Sequence, residues 1–141
     1  MSPRYLSVKN AVFVSEPGIP VLTTEDWRRW ILETCQKGGG RIVSLTAIRK
    51  KEGLRLYGIL GIDGEGALRV AAMDLQGKSY PSLTPELPEA HLFERELAEE
   101  WGIVPNGHPW LKPVRAGKDY PFYQMPGEEI HEVAVGPVHA G

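Results

Sequence analysis

Few residues in this chain could do acid–base or metal chemistry, and they are scattered. Its 141 residues include one cysteine, Cys35, and four histidines: His91, His108, His131 and His139. His91 and Glu94 stand at i and i+3, a helical spacing that can present two ligands to one metal ion. No second pair accompanies them, and two ligands fall short of a structural or catalytic metal site. The residues therefore predict no bound metal, with a small metal-dependent enzyme using His91 and Glu94 as an alternative. His131-Glu132 with His139 is not H-E-x-x-H, because the second histidine comes too late for one helical face. A lone thiol forms neither an internal disulfide nor the four-thiolate set of an iron–sulfur cluster. Ser2, Ser7, Ser15, Ser44, Ser79 and Ser82 have no base-and-orienter pattern around them, so no activated nucleophile can be assembled.

Glu94-Arg95-Glu96 has two readings. Charge runs usually form a solvated helix face. Arginine offers another use, because its planar fork can hold carboxylates or the backbone carbonyls of a second segment.

The element that must position this motif is a helix. Ala90, Phe93, Leu97 and Trp101 fall at i, i+3, i+7 and i+11, one stripe of a 3.6-residue repeat. Pro88 suits the first turn, where its missing N–H goes unneeded. Gly102 follows the last apolar residue, where a left-handed cap is wanted, and Ile103 can fold back onto the final turn. Glu94, Arg95, Glu96, Glu99 and Glu100 are then expected on the other faces as a charged surface, with Arg95 and Glu99 paired at i, i+4. Gly107-His108-Pro109 belongs to the loop that follows.

The rest of the chain supplies a sheet and a second helix. A short strand is expected near Ala11–Val14, and Glu16-Pro17-Gly18 turns the chain. Thr23 and Asp26 have capping-box spacing at a helix start. Trp27, Trp30, Ile31, Thr34 and Cys35 make one apolar face of that helix. Gly38-Gly39-Gly40 ends it; no Gly-Lys-Ser/Thr follows, so this is a cap and not a phosphate loop. Three alternating runs, Arg41–Lys50, Leu54–Ile62 and Ala67–Leu75, predict an antiparallel meander with turns at Lys51-Glu52-Gly53 and Asp63–Gly66. Gly61, Gly64 and Gly66 sit between strands, which reads as turn chemistry and not as a dinucleotide fingerprint. Ser79–Leu83 is a further short edge strand. The fold class is α+β in two layers, two main helices packed on a mixed or antiparallel sheet.

From Lys112 the pattern changes. Pro113, Gly117, Pro121, Pro126 and Gly127 punctuate a stretch without periodicity, the mark of a linker. Glu129–Val135 is apolar again, as a strand would be. The expected organisation is one domain over 1–111, a Pro/Gly-rich linker over 112–128, and the start of a second, truncated domain over 129–141.

Glu94-Arg95-Glu96, then Gly102-Ile103, then Gly107-His108-Pro109 resembles the signature of the 30 kDa (C) subunit of respiratory complex I. The tail from Tyr120 to Gly141, ending in Gly136-Pro137-Val138-His139-Ala140-Gly141, resembles the junction in membrane-bound [NiFe] hydrogenases of the formate hydrogenlyase type. There a domain like the 30 kDa subunit is fused to the start of the large subunit. Trp110-Leu111-Lys112-Pro113 departs from the Asp-Leu-Arg-Arg common after Gly-His-Pro in complex I, which favours the hydrogenase-type branch. The resemblance implies a non-catalytic assembly domain that docks the large-subunit domain against iron–sulfur subunits, peripheral to the inner face of the cell membrane. The [NiFe] centre and the iron–sulfur clusters would lie in the missing domain and partner subunits. The motif residues Glu94, Arg95, Glu96, Gly102, Ile103, Gly107, His108 and Pro109 would serve assembly, and His139 would stand at the cavity of the large subunit. The alternative within the same resemblance is the complex I 30 kDa subunit as a separate chain.

Composition agrees with such a component. Hydrophobic residues at 42% and charged residues at 24% are ordinary for a globular domain, and a net charge of −2 gives no footprint for nucleic acid. No apolar run approaches the ~18 residues of a membrane span, so membrane association would come through partners.

Overall fold

The computed structural model describes residues 4–115. The chain order is β1 (Leu6–Lys9), β2 (Val21–Leu22), α1 (Thr24–Gln36), β3 (Arg41–Lys50), β4 (Gly53–Ile62), β5 (Ala67–Asp74), β6 (Ser79–Pro81), α2 (His91–Trp101) and β7 (Val104–Asn106), with short 3-10 turns at Glu16–Gly18, Asp63–Glu65 and Pro88–Ala90. The main sheet runs β1-β5-β4-β3, and β2 joins β5 beside β1 as the parallel member. The fold is α+β with a mixed sheet and two main helices, as expected.

The meander β3–β4–β5 follows the alternation in the sequence. Leu56, Leu60, Ala71 and Met73 are fully buried on the face that carries the helices. α1 starts where Thr23 accepts a hydrogen bond from the Asp26 N–H at 3.1 Å. Trp27, Trp30 and Ile31 then pack directly over Gly58, where an added Cβ would come within 3.2–3.4 Å of all three side chains. A bare backbone in mid-strand is what lets two indoles lie this close to the sheet. Trp27 also donates its indole N–H to the Ala71 carbonyl at 3.1 Å, so its polar atom is satisfied in the core.

Two strand expectations need correction. The first strand is Leu6–Lys9 and not Ala11–Val14. Leu6 and Val8 align with Val70 and Leu68 of β5, and the chain then turns at Asn10-Ala11, where Ala11 takes a φ of 66°. Strand partners, and not local apolar content, selected the register; Val12 and Phe13 stay exposed. Ser79–Leu83 forms no edge of the main sheet. Its first three residues pair in parallel with Val104–Asn106, a strand with no signal of its own in the sequence. The expected strand at Glu129–Val135, like the linker beyond Arg115, lies outside the described residues.

Between β1 and β2 the chain crosses the outer face of β4. Glu16 accepts from the Tyr57 hydroxyl and from Lys50 Nζ at 2.8 Å. Arg55 sits beside this pair and forms a two-point contact with Asp74, at 2.6 and 3.1 Å. The Lys50 and Tyr57 hydrogen bonds hold the Glu16 carboxyl below its ordinary value of 4.5, and Arg55 holds Asp74 below 3.8.

Leu97 is 1% exposed at the centre of the α2 stripe. Burying such a side chain is worth about 1.5–3 kcal/mol, and a charge in its place adds a desolvation penalty. Leu97→Asp is expected to unfold the domain or lower its thermal midpoint sharply; an unchanged midpoint would mean that another face of α2 is buried. The outer-face clasp is expected to depend on pH. Both carboxyls have depressed values, so their contribution is complete above 4.5 and 3.8 and is lost as pH falls through the lower folded values. Amide-exchange protection in the 10–20 segment, taken against the intrinsic rate at each pH, should therefore fall on acidification below about pH 4, and Glu16→Gln should remove Glu16's share of that pH dependence.

Candidate functional site

The charged motif on α2 is not a solvated face. Glu94 is 0% exposed and Arg95 only 8% exposed. This overturns the expectation that both belong to a charged surface. The reason lies in the segment that precedes the helix. Residues 80–84 wrap the first turn of α2 and aim five donors at the Glu94 carboxylate. Oε2 accepts from the Tyr80 hydroxyl at 2.6 Å and the Leu83 N–H at 2.8 Å. Oε1 accepts from the hydroxyls of Ser82 and Thr84, each at 2.6 Å, and from the Thr84 N–H at 3.2 Å.

Each oxygen thus faces one backbone N–H, a group that can only donate, which suits a carboxylate. The position in the first helical turn also places negative charge at the favourable end of the helix dipole. Burial first, and then the adjacent Glu94 carboxylate, push the Tyr80 phenol far above its ordinary value, so it remains a donor. Arg28 of α1 holds the same loop from the other side, donating to the Pro81 and Ser82 carbonyls at 2.8 Å.

Arg95 turns toward the segment that follows the Gly107-His108-Pro109 loop. Its Nε donates to the Lys112 carbonyl at 2.8 Å and one terminal nitrogen to the Pro113 carbonyl at 3.1 Å. Its guanidinium lies over the Trp110 ring, 4.8 Å from the centroid. The reading in which the arginine fork holds backbone carbonyls is therefore the one the fold realises. Glu99 does not pair with Arg95 as expected; it accepts from the Val114 and Arg115 N–H groups at 2.7 and 3.2 Å. Glu96 binds the Arg115 side chain at 2.8 Å. Three charged residues on two adjacent turns of α2 thus grip residues 112–115.

The glycine and histidine positions complete this grip. Gly102 takes a φ of 70° and its N–H returns to the Ala98 carbonyl, closing α2, and Ile103 is buried beside it. Gly107 takes a φ of 91°, a conformation that side chains rarely adopt. His108 then accepts the Trp110 N–H at Nδ1, 3.1 Å, which assigns the proton to Nε2 and lets it donate to the His91 carbonyl at 3.2 Å. Pro109 follows at a bend.

His91 and Glu94 do not form a chelating pair. Both Glu94 oxygens are taken by the 80–84 loop, and His91 Nδ1 lies 3.5 Å from Arg95. Among the described residues no group of three His, Cys, Asp or Glu stands close enough to share a metal. Burial pushes the Cys35 thiol up to about 11, so it is no ready thiolate. A cluster or a nickel–iron centre does not fit this donor set. His139 lies outside the described residues. Sequence reasoning missed Tyr80, Ser82 and Thr84, and gave Glu99 a different partner. The available signal was the hydroxyl-rich Ser79-Tyr80-Pro81-Ser82-Leu83-Thr84 just ahead of a helix with glutamate in its first turn.

Hydrogen bonds to a charged acceptor contribute about 1.5–3 kcal/mol. Tyr80→Phe, which removes one donor and keeps the ring, is expected to lower stability by that amount in urea unfolding. Glu94→Ala strands all five donors and should cost well over about 3 kcal/mol. A Tyr80→Phe midpoint equal to that of the unaltered protein would show that the phenol is dispensable to the carboxylate.

Known proteins share both the sequence pattern and the fold. Residues 21–127 match the family described as "Respiratory-chain NADH dehydrogenase, 30 Kd subunit". The chain is 33% identical over 89 residues to the C subunit of the NADH-quinone oxidoreductase of Moorella thermoacetica, covering 60% of each. It is 26% identical over 96 residues to hydrogenase-4 component G of Escherichia coli, covering 49% of this chain and 17% of that one. Among solved structures, the trypsin-resistant fragment (1-134) of Nqo5 superposes with a TM-score of 0.58 at 20% identity, covering 76% of this chain and 89% of the fragment, a likeness of fold. The chain spans 60% of the Moorella protein, 41% of its counterpart in Caulobacter sp., and 17% of the hydrogenase component. With the match extending from β2 past the whole α2 motif, the chain belongs to the respiratory-chain NADH dehydrogenase 30 kDa subunit family.

Proposed function

We propose that this chain is a non-catalytic assembly domain of a membrane-associated redox complex related to [NiFe] hydrogenases and NADH:quinone oxidoreductases. Its role is to dock a large-subunit domain against iron–sulfur subunits at the inner face of the cell membrane. The observation that carries the reading is the use made of the α2 charges. Arg95, Glu96 and Glu99 hold the backbone and side chains of residues 112–115 against the helix. Residues that could have served chemistry instead fix where the chain leaves the domain, and with what direction. An assembly module needs that property, because whatever follows or binds there must be placed reproducibly.

In this proposal residues 112–128 act as a linker and 129–141 begin the large-subunit-like domain. The nickel–iron centre and the iron–sulfur clusters belong to that domain and to partner subunits, and His139 stands near the cavity of the large subunit. The likeness to hydrogenase-4 component G supports this version. A second reading, a separate 30 kDa-type subunit of an NADH-quinone oxidoreductase, is favoured by the likeness to the Moorella and Caulobacter proteins. The proteins that copurify with the tagged chain distinguish the two.

Arg95→Ala removes the grip on Lys112 and Pro113 and leaves the core contacts of Leu97 in place. The altered chain is expected to fold, with a loss of about 1.5–3 kcal/mol from hydrogen bonds involving a charged donor, while the yield of assembled complex falls. A mutant complex that assembles and turns over normally would refute the assembly role.

A further inference from the structure

Two imidazoles stand in the seam between α2 and residues 108–115, a strap laid along the helix. Each presents Nδ1 to a group that can only donate. His108 Nδ1 accepts the Trp110 N–H at 3.1 Å, and His91 Nδ1 lies 3.5 Å from the Arg95 guanidinium. Neither a backbone N–H nor a guanidinium has a lone pair to offer in return. Both ring nitrogens are therefore bare when the strap is seated. His91 and His108 are the two histidines among the described residues.

The surroundings give an added proton no partner. From α2, Arg95 faces His91, and Glu94 is enclosed by the 80–84 loop. Glu96 and Glu99 are engaged by the Arg115 side chain and by the Val114 and Arg115 N–H groups. From the strap, Lys112 shares the Trp110 ring with Arg95, at 5.6 and 4.8 Å from its centroid. From β7, Pro105 accepts the His108 backbone N–H at 3.2 Å, and Val104–Asn106 carries no charged side chain. Neither imidazole pairs with a carboxylate among the described residues. Protonation thus removes an acceptor at each ring and, at His91, adds a positive charge beside Arg95. His108 Nε2 donates to the His91 carbonyl in either form, so the ring stays seated and its new N–H is aimed at the Trp110 N–H.

We propose that this seam is a pH-sensitive latch: neutral His108, backed by neutral His91, holds residues 110–115 on α2, and protonation loosens them. Imidazole suits the task because it gains its proton near neutrality, well above the ordinary range of the carboxylates in the same seam. The direction follows from the bonding. The grip is complete with both rings neutral and is lost as pH falls. The latch goes beyond the assembly reading, because it states the condition under which the strap is held.

The test follows amide exchange and the ring nitrogens of the full chain by NMR from about pH 8 to pH 5.5, above the ordinary carboxylate range. At the upper pH the His108 proton is expected on Nε2. On acidification the protection of the Trp110, Val114 and Arg115 amides, taken against the intrinsic rate at each pH, should fall about fivefold, the net worth of one hydrogen bond. That fall should track the titration of the His108 ring, while the Leu56 and Ala71 amides of the sheet stay unchanged. His108→Asn keeps an acceptor for the N–H two residues on and cannot ionise. It should leave only the share of His91, and His108→Asn with His91→Gln should make the strap indifferent to pH. A proton found on Nδ1, strap protection that does not change with pH, or a fall that does not track the His108 ring would overturn the proposal. So would full pH dependence in His108→Asn, or any in the double variant, which would assign the effect to other groups. The assembly test alters Arg95 and reads complex yield, so a failure here leaves the assembly reading standing.

Discussion

A single buried carboxylate organises the helical side of this molecule. Glu94 has no exposed surface, and its two oxygens collect five hydrogen bonds from four residues that precede α2. A carboxylate taken from water without such partners would be prohibitively unfavourable, so the 80–84 loop and the first turn of α2 must form together or not at all. That constraint fixes β6, because Tyr80 reaches Glu94 from the middle of the strand. β6 in turn pairs with β7 on the far side of α2, so the strand, the loop, the helix and the returning strand make one closed unit.

The rest of α2 depends on that closure. With its first turn pinned by Glu94, Leu97 enters the core, Phe93 and Trp101 pack at its margin, and the charged residues opposite reach residues 112–115. Arg95 binds two carbonyls and a ring face at once, which the planar guanidinium allows and an ammonium would not. The adjacent glutamate and arginine therefore have opposite tasks, one closing the helix onto the chain before it, the other closing it onto the chain after it. His108 adds a third tie, bridging the loop back to the start of the helix through its two ring nitrogens.

The sheet and α1 obey a different constraint, that of close packing. Gly58 removes the Cβ that would keep Trp27, Trp30 and Ile31 away from β4. The outer face of the same strand is held by polar contacts instead, with Tyr57 and Arg55, joined by Lys50 at the end of β3, binding the segment between β1 and β2 through Glu16. Along β4 one face is thus given over to hydrophobic burial and the other to charge pairing, following the two-residue alternation of a strand.

The sequence by itself determined the elements whose signals are local. The period-2 alternation of Arg41–Lys50, Leu54–Ile62 and Ala67–Leu75 and the turn residues between them specify the meander. The Trp27/Trp30/Ile31 and Phe93/Leu97/Trp101 stripes specify both helices, and Gly102 specifies where the second one stops. These signals survive because each lies within a few residues of the structure it encodes. Tertiary structure alone decided the rest. Leu6–Lys9 became a strand, and Ala11–Val14 did not, because β5 offered partners at one register. Val104–Asn106 became a strand because β6 was there to pair with it. The Glu-Arg-Glu run looks like a solvated face in one dimension, since its partners lie 10–19 residues away, on segments that only the folded chain brings to the helix. No local pattern distinguishes a glutamate that will face water from one that five donors will surround.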